Sequence, residues 1–481
     1  MSAAAVSSPR RDNIIVDLDG TLVRTDTFAA SLLETLRKRP SCILALIVAL
    51  FRGRAFCKRV AADRAQLNIA SLPYNQALID YLRLQRALGH RVILATGADL
   101  SIATAVAEHL GIFDDIIASD GERNVTGNEK LRAIQETIGD VPFTYAGNSR
   151  ADLEVWRRSQ SAILVGAPSS CARDLRGASI SIQHEFTGSR NGWKPLVRCL
   201  RLHQWSKNIL VLVPAVLAHQ IGNVLLMRQA FIAFLALSFC ASALYIVNDL
   251  LDLQADRLHP NKRRRPLASG EMSIEAGLGL AACMVAVAAA LATCLPFQGF
   301  VLLMAYAAAS FTYSVKLKRI LFLDVVSLAL LYAVRVLYGG AATGIKISVW
   351  TLAFSLFLFA SLATVKRLAE LRRVNVSAAS THTYRGYKEV DVNQLSSLAS
   401  SGGYVAVLVL ALYINSPEVE LLYRHPQGLW LLCPILIYWI SRLTLIANRG
   451  DLDDDPVAFA LKDYATWFTA ALAAIILVLS S

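Results

Sequence analysis

Acidic residues at two places in the sequence have the spacing expected of a phosphate site. At the first place, Asp17 and Asp19 are separated by Leu18 and directly follow the apolar run 14–16. One such carboxylate can attack phosphorus, while the other donates a proton to the leaving oxygen and later activates water. Gly20 permits a turn that lets both carboxylates reach one phosphate. We therefore predict that Asp17 and Asp19 are catalytic residues of a phosphoryl-transfer site.

At the second place, Asn248, Asp249, Asp252 and Asp256 follow the apolar segment 231–247, and we call these four residues the acidic ladder. On an α-helix, with about 3.6 residues per turn, positions 248, 252 and 256 lie on one face. Carboxylates at this spacing repel one another, and Mg²⁺ compensates because it commonly binds through carboxylates together with substrate phosphates. The pattern predicts that the acidic ladder holds Mg²⁺ on a diphosphate where hydrocarbon meets water.

A run of cations follows the acidic ladder and can donate hydrogen bonds to phosphate oxygens: Lys262, Arg263, Arg264 and Arg265. For such a run taken alone, a topology signal or a patch that contacts lipid headgroups is the commoner explanation. Next to the acidic ladder, however, the run favours a magnesium-diphosphate site at a membrane surface. We predict Lys262, Arg263 and Arg265 as substrate-binding residues.

The elements that carry these residues belong to two unlike parts of the 481-residue chain. Charged and apolar runs alternate as far as about residue 190, whereas long apolar segments dominate the rest. We predict a polar N-terminal tail at 1–12, a soluble domain at 13–188 and a membrane domain at 189–481. The net charge of +12 does not indicate a nucleic-acid partner, because many cations lie in short loops between apolar segments. The eight cysteines include no CxxC pair, which supports neither a zinc site nor a disulfide framework.

The membrane domain contains nine apolar segments, at about 208–221, 228–250, 275–294, 298–314, 321–343, 347–366, 398–415, 428–446 and 464–480. The loops after the even-numbered segments carry most of the cations between them. Because positively charged loops tend to stay inside, we predict that the soluble domain and the motif-bearing loops face the cytoplasm. The protein is then a multi-pass protein of the cell inner (plasma) membrane, with its C-terminus outside.

Further along the soluble domain, a hydroxyl, a lysine and an amide with an acid occur in a fixed order: Thr96, Lys130, and Asn148 with Asp152. Together with Asp17-Leu18-Asp19-Gly20-Thr21, this series resembles the four motifs of the haloacid dehalogenase superfamily over about residues 12–185. The resemblance implies a three-layer α/β, Rossmann-like fold with a small helical cap between the first two motifs.

The same resemblance implies roles for these residues. Thr96 is expected to donate a hydrogen bond to the phosphate, and Lys130 is expected to neutralise it. Asn148 stands where the family more often has an acid. Because both aspartates of the first motif are present, we expect an active phosphatase rather than an inactive docking module. The ligands expected for Mg²⁺ are Asp17, Asp19, Asn148 and Asp152.

Within the cap region, the run 41–51 is apolar and is bracketed by cations at 37–39 and at 52 and 54. A run of this length is too short to span a bilayer. It is therefore either a buried cap helix or a helix that contacts the membrane surface. The surface contact is favoured, because a phosphatase that acts on lipid must approach the headgroups.

The membrane part, about residues 192–481, resembles the UbiA-type polyprenyltransferase superfamily through Asn248-Asp249-x-x-Asp252-x-x-x-Asp256 and Tyr313-x-x-Lys316. That superfamily is all-α, and its common members carry a second DxxxD motif. Here Asp324 is followed at the fourth position by Leu328. This departure counts against a second metal site for an isoprenoid diphosphate.

In detail the membrane part is more similar to the decaprenyl-phosphate phosphoribosyltransferase branch of that superfamily. The matching stretches are Gln204-Trp205-Ser206-Lys207-Asn208, Asp256-Arg257-x-His259-Pro260-x-Lys262-Arg263-x-Arg265-Pro266, Lys366-Arg367-x-x-Glu370-Leu371 and Asp454-Asp455-Pro456-Val457-x-Phe459-Ala460. The resemblance implies nine transmembrane helices around a cytoplasm-facing cavity. The further substrate-binding residues predicted with it are Lys207, Asn208, Tyr313, Lys316, Asp324, Lys366, Glu370 and Asp454.

The function expected from these resemblances is a Mg²⁺-dependent transfer of 5-phosphoribosyl from phosphoribosyl diphosphate to a polyprenyl phosphate, such as decaprenyl phosphate. The fused phosphatase is expected to remove the 5-phosphate of the lipid product. Two alternatives stay open: a prenyltransferase that moves an isoprenoid from its diphosphate to another acceptor, and a membrane-anchored phosphatase. The sequence leaves the oligomeric state open.

Overall fold

The structure, a computed structural model, describes residues 12–186, 192–376, 386–452 and 456–480. The chain forms two compact units. The first comprises Met1–Arg201 and Tyr245–Ala282, and the second comprises Leu202–Leu244 and Cys283–Ser481. The acidic ladder and the cations after it therefore belong to the first unit. The domain boundary predicted near residue 188 stays a prediction.

A six-stranded parallel sheet forms the centre of the first unit, in the order β3-β2-β1-β4-β5-β6. Strands β1, β4 and β5 are short and buried throughout, as expected where both faces of a parallel sheet are covered. Ile14 and Val16 on the central strand pack into one hydrophobic cluster, whereas Ile15 packs into another on the opposite face. The strands are β1 Asn13–Val16, β2 Arg91–Asp99, β3 Asp115–Ser119, β4 Phe143–Gly147, β5 Ser161–Val165 and β6 Ser181–Phe186.

The strand order reverses at β1, because β2 lies on one side of it and β4 on the other. In open parallel sheets, ligands bind at such a reversal, outside the carboxyl ends of the strands. Asp17 directly follows β1, and Asn148 directly follows β4. The topology thus brings the first and last predicted motifs of the soluble domain to one edge of the sheet.

The helices vary from four to 28 residues in length. In chain order they are α1 Thr27–Lys38, α2 Ile43–Phe51, α3 Arg54–Ala65, α4 Gln76–Ala87, α5 Leu100–Leu110, α6 Asn128–Ile138, α7 Leu153–Trp156, α8 Ser169–Gly177, α9 Trp193–Leu200, α10 Val213–Leu217, α11 Val224–Leu251, α12 Leu253–Leu258, α13 Ile274–Ala292, α14 Phe297–Val315, α15 Leu323–Thr343, α16 Val349–Val376, α17 Val392–Ile414, α18 Pro417–Leu422, α19 Leu432–Arg449, α20 Pro456–Ala460 and α21 Tyr464–Ser480. Helices α1, α2 and α3 form the cap between β1 and β2, and both α1 and α2 pack against α3.

The cap packs against the chain around the acidic ladder within the first unit. Ala30 of α1 shares a hydrophobic cluster with Leu250 and Leu253, which flank Asp252. The loop between α12 and α13 also comes close to the segment before α1. A Cβ added at Gly270 in this loop would lie 2.5 Å from the carbonyl oxygen of Arg24. The positive φ of Gly270 also favours glycine there. The residues after α11 are thus held by contacts with the cap.

Seven helices among the described residues have the length and composition needed to cross a membrane. Their bounds are Val224–Leu251, Ile274–Ala292, Phe297–Arg319, Leu323–Thr343, Val349–Arg372, Glu389–Ile414 and Pro426–Arg449. The expected count of nine is not confirmed. The first expected segment forms a 3₁₀ helix, Leu202–Leu212, and the five-residue α10, which has Pro214 in its first turn. The last forms α21, which has 17 residues and belongs to the shorter apolar helices.

In the second unit, the 3₁₀ helix Leu202–Leu212 packs closely on α15. A Cβ at Gly339 would lie 2.1 Å from the carbonyl oxygen of Val211, so only glycine permits this approach. The contact fixes the positions of Lys207 and Asn208, which lie in the same 3₁₀ helix.

Candidate functional site

Asp17 and Lys130 meet at the carboxyl edge of the parallel sheet. The ammonium of Lys130, in the first turn of α6, donates to Oδ1 of Asp17 at 2.7 Å. The hydroxyl of Thr21 donates to Oδ2 of Asp17 at 3.2 Å. Asp17 and Lys130 are each only 6% exposed. Two motifs that the sequence places 113 residues apart thus form a buried ion pair.

Asp152 lies on the other side of Lys130, whose ammonium is 3.9 Å from Oδ1 of Asp152. The Tyr145 hydroxyl donates to the same oxygen at 2.8 Å, and it accepts from Lys130 at 3.1 Å. Oδ2 of Asp152 accepts from the backbone N–H groups of Asn148 and Ser149, at 3.1 and 2.9 Å, and from the Ser149 hydroxyl at 3.0 Å. Sequence reasoning missed Tyr145, because within an apolar strand it resembles a core aromatic residue.

The charge of Lys130 follows from its surroundings. Burial alone would lower its pKa, but the carboxylates of Asp17, Asp152 and Asp19 outweigh burial, so the pKa of Lys130 lies above its ordinary value. Lys130 therefore stays cationic and can neutralise a phosphate that enters beside Asp17. This arrangement fits the role predicted for it.

Asp19 follows Asp17 on the same segment, and Thr96 lies in β2, the strand that pairs with β1. Oδ1 of Asp19 accepts from the backbone N–H of Thr27 at 2.8 Å. Burial, and then the charges of Asp26 and Asp17, raise the pKa of Asp19 to about 7, where a carboxyl can both give and take a proton. The hydroxyl oxygen of Thr96 accepts from the backbone N–H of Ala98 at 3.0 Å, which leaves its hydrogen able to donate to a phosphate.

The acidic ladder keeps its helical register although the helix is interrupted. α11 ends at Leu251 and α12 begins at Leu253. Even so, the N–H of Asp252 bonds to the carbonyl of Asn248 at 2.9 Å, and the N–H of Asp256 bonds to that of Asp252 at 2.8 Å. The four-residue spacing read from the sequence is therefore preserved through the break.

Two arginines neutralise the ladder acids Asp249 and Asp256, which are 6% and 3% exposed. A terminal nitrogen of Arg201 donates to both carboxylate oxygens of Asp249, at 2.6 and 2.7 Å. One nitrogen of Arg265 bridges Asp249, at 3.0 Å, and Asp256, at 2.5 Å. Arg265 was predicted to bind substrate, whereas Arg201 was missed because it precedes the motif that starts at Gln204. Arg201 and Arg265 thus bring two guanidinium groups to the acidic ladder, and binding of a diphosphate there stays a prediction.

Several of the carboxylates predicted to bind magnesium lie against cations. Among the described residues, no three His, Cys, Asp or Glu side chains converge on one point as metal ligands would. The carboxylates face cations instead: Asp17 faces Lys130, and Asp249 faces Arg201 and Arg265. As arranged, the acids do not form a metal cage. Magnesium binding by the residues predicted for it stays a prediction.

In the second unit, Asp324 is fully buried and both of its oxygens are bonded. Arg367 donates to Oδ2, and the Tyr387 hydroxyl donates to Oδ1 at 2.7 Å. Arg367 also donates to Glu370 and, at 3.1 Å, to the Tyr313 hydroxyl. Three residues predicted from separate motifs, Tyr313, Asp324 and Glu370, thus meet at one guanidinium. The prediction named Lys366, whereas the residue that donates hydrogen bonds to all three is its neighbour Arg367.

Lys207 and Asn208 are 9% and 2% exposed. The amide nitrogen of Asn208 donates to the Ser238 hydroxyl at 3.0 Å, and its oxygen accepts from Arg335 at 3.1 Å. Arg335 also donates to the Tyr306 hydroxyl at 3.0 Å. Asn208 therefore helps to hold a buried arginine. Its predicted contact with substrate stays a prediction.

The remaining predicted residues are more accessible. Lys316 is exposed at the end of α14, and Lys366 is half-buried on α16. Lys262 begins a short 3₁₀ helix, Lys262–Arg264, in which Arg263 is exposed. Asp454 lies outside the described residues. Substrate binding by each of them stays a prediction.

Two family models match the chain. The model of the UbiA prenyltransferase family matches residues 209–472, and the model of haloacid dehalogenase-like hydrolases matches residues 14–157. The predicted fusion of these two domains is confirmed.

Three relatives illustrate the similarity. An uncharacterized protein of Sinorhizobium fredii is 35% identical over 97% of this chain and 90% of its own length. The nodulation protein NoeC of Azorhizobium caulinodans is 34% identical over 55% of this chain and 85% of its own length. The decaprenyl-phosphate phosphoribosyltransferase of Mycobacterium tuberculosis is 32% identical over 56% of this chain and 88% of its own length.

Proposed function

Because the chain belongs to the UbiA prenyltransferase family and joins its membrane helices to a haloacid dehalogenase-like domain, we propose that it transfers a 5-phosphoribosyl group from phosphoribosyl diphosphate to a polyprenyl phosphate. In the proposal, the haloacid dehalogenase-like domain then removes the 5-phosphate of the lipid product. Both sites face the cytoplasm from the inner membrane, which the excess of cations in the motif-bearing loops supports.

The hydrogen bonds of Asp324 are the main support for a sugar diphosphate, and not an isoprenoid diphosphate, as the donor substrate. Its oxygens are bonded to Arg367 and Tyr387, and Leu328 stands where a second DxxxD motif would have its other acid. An isoprenoid diphosphate would need a metal-binding motif here. The arrangement therefore supports a sugar diphosphate as donor, as does the similarity to the enzyme of M. tuberculosis.

The transfer makes one bond and breaks one. An oxygen of the acceptor phosphate bonds to the anomeric carbon of ribose, while the bond from that carbon to the diphosphate oxygen breaks. The acceptor phosphate is already an anion near neutral pH, so no strong general base is needed. The negative charge that develops on the leaving diphosphate is stabilised by Lys262, Arg263 and Arg265. Mg²⁺ is typical of both families, and the proposal includes a requirement for it.

In the second reaction, an oxygen of Asp17 attacks the phosphorus of the 5-phosphate, and the bond to the ribose oxygen breaks. Asp19, whose pKa is raised to about 7, donates a proton to that oxygen. Water, deprotonated by Asp19, then releases phosphate from Asp17. Lys130, which is bonded to Asp17, and Thr96, on the strand next to β1, hold the phosphoryl oxygens in this scheme.

The test uses the full chain in lipid nanodiscs with labelled phosphoribosyl diphosphate, decaprenyl phosphate and Mg²⁺. We expect the wild-type protein to form lipid-linked ribose, and the Asp17→Asn variant to accumulate lipid-linked ribose 5-phosphate. If the variant shows no such accumulation, the two reactions are not coupled as proposed.

Two further arms separate the alternatives. Replacing the donor with geranylgeranyl diphosphate and offering an aromatic acceptor tests prenyl transfer, and product formation there alone would contradict the proposal. The Asp252→Asn variant tests whether the helices are only an anchor. A full rate of transfer in that variant would leave the acidic ladder without a role.

A further inference from the structure

Helix α2 presents an apolar stripe to its surroundings. Leu44, Ile47, Val48 and Phe51 recur at the spacing that places side chains on one face of a helix. They are 71%, 47%, 59% and 88% exposed. Exposed apolar side chains are common singly, but a continuous stripe of large ones on a helix marks an interaction surface. We call these four residues the α2 stripe.

The opposite face of α2 is anchored to the cap. Leu46 and Ala49 are 5% and 2% exposed, and the thiol of Cys57 on α3 lies 3.9 Å from the carbonyl oxygen of Leu46. The helix is therefore held in place by its own domain while the stripe stays uncovered. Its orientation is set by packing, not by the partner that the stripe contacts.

Cations surround the α2 stripe. Lys38 and Arg39 precede the helix, Arg52 and Arg54 follow it, and all four are exposed. From residue 35 to residue 62 the chain contains no Asp or Glu. An apolar helical face with a cationic border is typical of helices that lie in the interface of anionic membranes.

The charges also favour a membrane over a second copy of the chain. A symmetric dimer through the α2 stripe would set the same cationic borders against each other, which is unfavourable. An anionic lipid surface pairs with the cations and accepts the apolar side chains at once. A bilayer surface is also available to the α2 stripe, because the described part of the same chain contains seven helices suited to crossing a membrane.

A cavity of about 360 Å³ lies beside this surface, and Leu50 of α2 is one of its lining residues. Leu50 is itself 59% exposed, and Arg54 and Lys58 of α3 also line the cavity. The ammonium of Lys58 donates to the carbonyl of Gly97 at 2.6 Å and is close enough to Asp19 for their charges to interact. The cavity is thus lined by an exposed residue of α2 and by a lysine whose charge interacts with that of Asp19.

We propose that the α2 stripe docks on the surface of an anionic bilayer, so that the cavity at Leu50 takes a lipid-linked phosphate directly from the headgroup region. The docking itself depends only on α2 and its cations. The lipid-linked substrate rests on the proposed function, and the two are tested separately.

Docking is tested with the full chain in nanodiscs of phosphatidylcholine, with or without phosphatidylglycerol. A photoreactive diazirine amino acid replaces Val48, and in a control it replaces Leu88, which follows α4 and is 61% exposed. After irradiation, mass spectrometry measures the lipid attached at each position. We expect at least ten times more lipid at position 48 than at 88. We also expect the yield at 48 to fall several-fold without phosphatidylglycerol or in about 1 M salt, where charges are screened beyond about 3 Å.

Three results would overturn docking: equal lipid yields at both positions, no lipid at position 48, or attachment of position 48 mainly to a second protein chain. The last result would identify the α2 stripe as a dimer contact.

The substrate is tested with the double variant Ile47→Ser, Val48→Ser. We expect it to hydrolyse lipid-linked ribose 5-phosphate at least five times more slowly than wild type, and to hydrolyse soluble p-nitrophenyl phosphate within twofold of wild type. An equal loss on both substrates would contradict uptake from the bilayer. If the wild-type protein does not hydrolyse lipid-linked ribose 5-phosphate, but lipid is still crosslinked at position 48, the proposed function is wrong and the docking proposal is supported.

Discussion

Arg201 donates from one nitrogen to both carboxylate oxygens of Asp249, at 2.6 and 2.7 Å. The side chain of Asp249 is 7% exposed and that of Arg201 is 20% exposed, so little water screens the pair. Arg265 contacts the same carboxylate and continues to Asp256. The acids that a metal or a diphosphate would meet are therefore held by arginines before any ligand arrives.

The Arg201→Met variant removes a guanidinium from this network. Breaking a buried pair by removing one partner typically costs about 3–5 kcal/mol, because the remaining charge is left uncompensated. Since Arg265 still contacts Asp249, we expect a loss near the lower end of that range. The measurement is the midpoint of thermal unfolding in detergent. Arg198→Met is the matched control, because its pair with Glu271 is more exposed and is worth about 1 kcal/mol or less. Equal losses in both variants would contradict the prediction.

The Lys130→Met variant should lose phosphatase activity by at least about a thousandfold, because Asp17 then lacks its buried counter-charge and phosphate lacks a neutralising partner. Hydrolysis of p-nitrophenyl phosphate measures the loss, and Arg132→Met on the exposed side of α6 is the control. A double variant with Asp17→Asn removes both charges, so it should recover stability, and it should stay inactive because it lacks the nucleophile. Wild-type turnover by the folded fraction of the Lys130→Met variant would show that Lys130 acts only in folding.

The Tyr145→Phe variant keeps the ring in the core but removes the hydroxyl between Lys130 and Asp152. Leaving such buried groups less well bonded costs about 1–3 kcal/mol. We expect phosphatase turnover to fall about tenfold, because Lys130 then has one fewer group to orient it. Tyr81→Phe is the control, because its ring packs on His184 and Phe186 and those contacts remain. Unchanged turnover in Tyr145→Phe would remove it from the site.

Asp324 and Arg367 offer a double-mutant cycle in the second unit. Arg367→Met leaves the fully buried Asp324 without its cation and should cost about 3–5 kcal/mol. Asp324→Asn should cost less, because Arg367 keeps its pair with Glu370. The double variant leaves neither charge, so its loss should be smaller than the sum of the two by about 1–3 kcal/mol. The midpoints of thermal unfolding of the four proteins give the coupling. Additive losses would mean that the pair does not act as a unit.

The positions of the predicted site residues were read from local sequence patterns. Asp17, Asp19, Thr96 and Lys130 occur in a recognisable order, and the positions of the acidic ladder follow from the helical repeat. Motif spacing and the helical repeat both involve residues that are close in the sequence, so both can be read without knowing the tertiary structure. The parallel α/β domain and the helical membrane domain were predictable for this reason.

The partners of these residues depend on packing between distant segments. Arg201 is 48 residues from Asp249, and Arg367 is 43 residues from Asp324, so no local pattern pairs them. The expected count of nine spans is not confirmed, because only seven helices among the described residues are long and apolar enough to cross a membrane. Hydropathy measures composition, whereas the length of a helix depends on where its backbone bonds begin and end. Residue types and spacing thus predicted sites that bind phosphate groups. The tertiary contacts decided which cations face which acids, because electrostatic pairing requires closeness in space and not in sequence.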